Sequence, residues 1–221
     1  MRMDTAAEAG RTDSLSDWRA IRARAGRLID LENPVFDFAG AGDHTLNPHL
    51  PDIAPPGESL RDAAVLFGVV KREPATVLFT LRTPHLSSHA GQIALPGGKI
   101  DAGDRDPLAA ALREAEEEVG LSPSLVEPLG YGDVYSTRSG YRIVPVVALI
   151  PETAKIVANP QEVADVFEVP LDHLMTPANH LRNSREWNGA RRYFYSMPYG
   201  ERYIWGVTAG IVRTLFERLY G

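Results

Sequence analysis

The sequence predicts a layered α/β (α+β) domain, and three patterns carry that prediction. Short apolar, β-branched segments recur along most of the chain, separated by turn-forming residues. One helix is framed by its own start and stop residues, and the C-terminus carries an amphipathic repeat. At 221 residues, 44% hydrophobic and 24% charged, the chain has the size and composition of one soluble domain with elaborations.

Residues 1–13 mix charges with small residues and read as a flexible tail, leaving 14–221 as a single domain. Ser14-Leu15-Ser16-Asp17 reads as a helix start, with Trp18, Ile21, Ala25 and Leu28 at helical spacing. The proline-containing stretch Asn33 to Gly57 reads as irregular connection. Ala63–Val70 and Thr76–Thr80, separated by Lys71-Arg72-Glu73-Pro74, read as a hairpin. After a glycine-rich loop from Gly91 to Gly103, Asp106 suits an N-cap, Pro107 the first helical position and Gly120 the stop. Strands are predicted around Leu129–Tyr135, Ile143–Ile150, Val163–Val169 and Arg192–Ser196. A closing helix over Trp205–Leu219 would turn Val207, Ile211, Leu215 and Leu219 to the core.

Several function classes are disfavoured. The chain has no cysteine, which removes disulfides, thiolate catalysis and cysteine-held metals. A formal charge of −6 argues against gripping nucleic acid through the overall field. Met1 to Asp13 lacks the apolar stretch of a signal peptide, and the longest apolar run, Ile143–Ile150, is broken by Pro145. These features predict a cytoplasmic protein with no membrane partner. An acidic chain acting on an anionic substrate would need local positive charge, which bound divalent cations can supply.

The framed helix is the most informative stretch. Leu108, Leu112, Ala115 and Val119 fall on one face, and Glu114, Glu117 and Glu118 cluster on the next, with Glu116 turned to solvent. Like charges at this spacing repel, and they stand near a helix C-terminus, where the dipole disfavours anions. A solvated acidic face is one reading. The other is a site for Mg²⁺ or Mn²⁺, whose preferred ligands are carboxylate oxygens.

The run Arg113-Glu114-Ala115-Glu116-Glu117-Glu118-Val119-Gly120-Leu121, with Gly97-Gly98-Lys99-Ile100-Asp101-Ala102-Gly103-Asp104 before it, resembles the Nudix box, here about residues 98–121. The run matches at every defined position. Asp104 stands where glutamate is usual, and eight residues separate it from Arg113 instead of seven. Both departures resemble the coenzyme A pyrophosphatase branch. So does the segment from Leu78 to Gly98, which contains Arg82, His85, His89, Gly91 and Pro96. Asn159–Leu171 and Tyr203–Ala209 are similar to later segments of the same branch.

The resemblance implies a Nudix fold, a mixed β-sheet sandwiched between α-helices, that hydrolyses a diphosphate bond with Mg²⁺ or Mn²⁺. Glu114, Glu117, Glu118 and the Gly97 carbonyl are the implied ligands, and Arg113 would orient one of the carboxylates through a bidentate pair. Glu117 and Glu162 are both candidates to take the proton from water. Arg82 and His89 would meet substrate phosphate, although His89 could equally be a loop-bracing histidine and Arg82 a local ion-pair partner. Lys71, Arg82 and Arg142 are unranked candidates for the 3′-phosphate of coenzyme A. The partner expected is a small nucleotide, with a homodimer compatible because dimers are common among such enzymes. A diphosphatase for another nucleotide, such as ADP-ribose or a dinucleotide, would use the same helix. A module that binds without catalysis need not keep three clustered glutamates.

Overall fold

The computed structural model describes residues 15–38, 40–50, 60–85, 90–187 and 189–221. The expected tail, residues 1–13, lies outside them. A nine-stranded sheet contains β1 (Ala41–Gly42), β2 (Arg61–Val70), β3 (Thr76–Arg82), β4 (Ile93–Ala94), β5 (Gly97–Lys99), β6 (Glu127–Tyr131), β7 (Tyr135–Ser136), β8 (Tyr141–Ile150) and β9 (Val163–Pro170). The helices are α1 (Trp18–Ala23), α2 (Asp43–Leu46), α3 (Pro107–Val119), α4 (Leu171–Met175) and α5 (Gly206–Tyr220). Strands β10 (Leu181–Trp187), β11 (Ala190–Tyr199) and β12 (Arg202–Trp205) form a separate antiparallel sheet.

The large sheet is mixed. β2 runs parallel to β8 from Arg61↔Tyr141 to Val70↔Ile150, while β3 pairs antiparallel with β9. β2 and β8 are near-continuous apolar runs because both of their faces are covered. On one face Phe67, Val69 and Phe79 pack with Ile211, Leu215 and Leu219 of α5. On the other, Ala64, Leu66 and Leu78 pack with Ala111, Ala115 and Val119 of α3. The sheet is therefore sandwiched between helices, as expected.

The β2–β3 hairpin forms, but the strands pair only at Val69↔Val77 and Val70↔Thr76. They then diverge; β5 takes β2 and β4 takes β3. That divergence seats the glycine loop within the sheet, directly beside α3.

Four expectations need correction. α1 stops at Ala23 and tightens into a 3₁₀ turn over Ala25–Arg27, so the helical spacing through Leu28 overstates its length. β1 and α2 form within the stretch read as irregular. The strand expected over Leu129–Tyr135 is divided between β6 and β7. β10, β12 and α4 were not foreseen. Among the described residues no helix is long and apolar enough to cross a membrane.

Candidate active site

The carboxylate helix is fixed at both ends by local chemistry. The Asp106 side chain accepts from the Ala109 N–H at 2.7 Å, Pro107 follows it, and Gly120 adopts φ +64° where the helix ends. Two carbonyls of the last turn would otherwise lack partners. Asn159 N–H donates to Glu118 O at 2.8 Å, and Val157 N–H donates to Val119 O at 2.9 Å. The same segment is tied to the exit of β3, where Thr83 N–H donates to Glu162 O at 2.9 Å and His85 Nε2 lies 3.2 Å from Gln161 O. Helix end, strand exit and the Glu162 segment are thus joined through the backbone.

The glycine loop closes the site from the sheet side. Gly97 has φ +151°, and a Cβ there would lie 2.3 Å from Ala64 O. Its N–H donates to Glu118 Oε2 at 3.1 Å. A Cβ on Gly98 would lie 2.4 Å from the carboxyl carbon of Glu114. Gly98→Ala should therefore displace that carboxylate, and misplacement of about 1 Å can cost roughly 100-fold in rate. We expect such a loss of kcat/KM with a melting temperature near that of the parent; unchanged kinetics would remove Glu114 from the reacting site.

The three glutamates occupy different environments. Glu118 is 1% exposed, and burial pushes its carboxyl up to about 7, against the opposing pull of the Gly97 N–H and Arg82. Arg82 Nη1 stands 3.2 Å from Glu118 Oε1. Arg82 Nε is buried with no hydrogen-bond partner among the described residues. Glu114 is also raised, first by burial, with Arg113 opposing. Glu117 is 54% exposed at its side chain and meets Arg113 at 3.4 Å. Glu162 is half-buried, and its charge helps to raise both Glu114 and Glu118. Among the described residues its side chain has no hydrogen-bond partner. Glu116 is exposed, as its helical position predicts.

Arg113 corrects one expectation. Its bidentate partner is Asp104, through Nε–Oδ1 and Nη2–Oδ2, both 3.0 Å. Glu114 receives a single bond, from Nη1 at 3.0 Å. The Asp104 carboxyl is held below its usual range by this guanidinium. Asp104, which departs from the usual glutamate, is thus the residue that anchors Arg113 beside the helix.

The structure brings together Gly97, Glu114, Glu117, Glu118, Arg113, Arg82 and Glu162. It leaves Lys71 out: Lys71 follows β2 six residues beyond Val65, the partner of Gly97, a distance of about 20 Å along a strand. There it faces Glu127 at 3.4 Å. Arg142 is bound by Asp62 through bonds of 2.7 and 2.9 Å. His89 lies outside the described residues.

Among the described residues no three acidic or histidine side chains are aimed at one point. The carboxylates instead turn to Arg82, Arg113 and the Gly97 amide. The donor set nonetheless fits a hard divalent cation. Glu114, Glu117, Glu118 and Glu162 outnumber two guanidiniums, one of them committed to Asp104, and every candidate donor atom is oxygen.

A mixed sheet carrying an oxygen-only carboxylate helix beside a glycine loop offers a site suited to a hard cation. A NUDIX domain model matches residues 56–189, and the chain belongs to the Nudix family, hydrolases of phosphorus anhydrides that generally use divalent metal ions. An uncharacterized Nudix hydrolase, NudL, of Yersinia pestis (strain Pestoides F) is 39% identical over 159 residues, covering 72% of this chain and 80% of the relative. NudL of Yersinia pseudotuberculosis (serotype O:1b) gives the same figures. Among solved structures, the Nudix hydrolase RenU of M. smegmatis is 26% identical with a TM-score of 0.44, over 53% of this chain and 74% of that one. DR0079 of Deinococcus radiodurans is 15% identical with a TM-score of 0.48, over 88% and 98%.

Proposed function

We propose that this chain hydrolyses the diphosphate bond of coenzyme A or acyl-coenzyme A, giving 3′,5′-ADP and 4′-phosphopantetheine or its acyl form. The observation that carries the reading is Arg82. It lies in the segment that resembles coenzyme A-directed enzymes, and its guanidinium, on a side chain 23% exposed, stands against Glu118 beside the carboxylate helix. An arginine fork so placed suits a phosphate oxygen of a substrate whose neighbouring phosphorus is to be attacked.

Glu114, Glu117, Glu118 and the Gly97 carbonyl would hold Mg²⁺ or Mn²⁺. When bound, the cation supplies charge neutralisation on the diphosphate and lowers the pKa of an attacking water. The chain's own residues do the rest. Arg113, anchored on Asp104, holds Glu114 in place. Glu162, whose carboxylate is uncommitted, takes the proton as water oxygen adds to one phosphorus. The bridging P–O bond breaks, and its electron pair leaves with the departing phosphate. The thiol end is remote from this bond, so acyl groups are compatible with it. The reading places the enzyme in the cytoplasm.

The test is mass spectrometry of products from purified protein with Mg²⁺ or Mn²⁺ and a panel of coenzyme A, an acyl-coenzyme A, ADP-ribose, NADH and a nucleoside triphosphate. Metal-dependent release of 3′,5′-ADP, with poor turnover of the others, is the expected result. Preferred cleavage of another nucleotide would overturn the coenzyme A assignment.

A further inference from the structure

β10 is the outer strand of the small sheet, and β11 is its one strand neighbour among the described residues. Six of its seven residues are exposed, including Leu181 at 46% and Trp187 at 47%. A long open edge with exposed apolar residues is a template for another strand, and proteins usually guard such edges. Charge is the common guard, but here its arrangement does the reverse.

The hairpin closes at Trp187↔Ala190 across two intervening residues, and in such a hairpin the closing pair exchanges both backbone bonds. Alternation then assigns the backbone groups of Leu181, Asn183, Arg185 and Trp187 to β11. Those of Arg182, Ser184 and Glu186 point outward. Around Ser184 the strand Leu-Arg-Asn-Ser-Arg-Glu-Trp is chemically self-complementary under antiparallel pairing. Ser184 meets its own copy, Arg182 meets Glu186 of the second copy, and Leu181 meets Trp187. The outward groups supply about six hydrogen bonds in that register. Moving the two-fold to Arg185 would set that arginine against itself, which is unfavourable.

We propose that a second copy of this chain pairs edge to edge with β10 about a two-fold axis at Ser184, joining two three-stranded sheets into one. The occupant is a second copy because the charge order repays only its own reverse. Arg182 and Glu186 are both exposed and lack a salt-bridge partner among the described residues. The contact is independent of the substrate proposed above.

The experiment is sedimentation velocity on the full chain over a concentration series, with circular dichroism to verify folding. The parent should reach a dimer. Arg182→Glu and Glu186→Arg each set like charges opposite and should weaken dimerisation by roughly tenfold or more. The double variant Arg182→Glu/Glu186→Arg should restore it. Ser184→Pro removes an outward N–H while sparing the β11 bonds, a placement that edge strands tolerate, and should give monomer. A parent that stays monomeric up to its solubility limit would overturn the proposal. So would a dimer indifferent to the single variants, or a double variant no better than either.

Discussion

Glu117→Gln is expected to lower turnover by about 10³-fold, the several kcal/mol that a cation contributes to transition-state charge stabilisation. The fold should hardly notice. Glu117 is 54% exposed at its side chain, and among the described residues its side-chain partner is Arg113 at 3.4 Å, one turn away. An exposed helical pair of this kind is worth about 0.3–0.5 kcal/mol. Loss of activity beside an unchanged melting curve therefore isolates chemistry from stability. Rates near those of the parent would take Glu117 out of the proposed ligand set.

Glu118→Gln should act on stability as well, in a direction set by pH. In the metal-free protein burial pushes the Glu118 carboxyl up to about 7 from an ordinary 4.5, so the folded state binds its proton more tightly than the unfolded state. The group therefore costs nothing below pH 4.5. As pH rises from about 4.5 to 7 it progressively destabilises the fold, by about 3 kcal/mol at completion. Glutamine removes that titration, and the pull of Arg82 is already contained in the shift, so a net gain of about 3 kcal/mol at pH 8 is expected. For a chain of this size that corresponds to roughly 6–12 °C in melting temperature. Added divalent cation should reverse the order, because it stabilises only a folded state that binds it. Melting curves of both proteins with chelator at pH 5 and pH 8 provide the check. Parallel pH dependence would mean that Glu118 does not carry the buried charge.

What could be read from the sequence was whatever is encoded within a few residues. The start and stop of α3 follow from Asp106, Pro107 and Gly120, and its apolar face from residues three and four apart, of which Ala115 and Val119 are buried and Leu108 and Leu112 partly so. The closing helix follows in the same way from Ile211, Leu215 and Leu219, each buried. Long-range choices were not legible. Nothing local says that β2 adopts β8, eighty residues on, as its main partner instead of β3. β10 gives no signal because the five residues between Leu181 and Trp187 are all polar, leaving no alternation to detect.

The site divides along the same line. The glutamate cluster is a matter of helical spacing, so it was evident from the residues alone. The partners of the arginines were not, since a guanidinium on a long stem can reach in several directions. Arg113 gives its bidentate pair to Asp104 and a single bond to Glu114, and Arg82 reaches Glu118. Lys71 was grouped with Arg82 and Arg142 by charge, and the strand carries it to the far end of β2.

The backbone ties between the last turn of α3 and Val157 and Asn159 carry a consequence for how such an enzyme can diversify. Glu162 follows Asn159 by only three residues, and Asn159 is hydrogen-bonded to the carbonyl of Glu118 itself. The spacing between the proposed base and the buried Glu118 is therefore set by main-chain geometry, as by a fixed gauge. Surface loops can lengthen, shorten or change their side chains to admit new substrates without resetting that gauge. The exit of β3, which carries Arg82, is tied into the same gauge through Thr83 and Glu162, so a change of nucleotide that spares the hydrolytic step has to come from residues outside it.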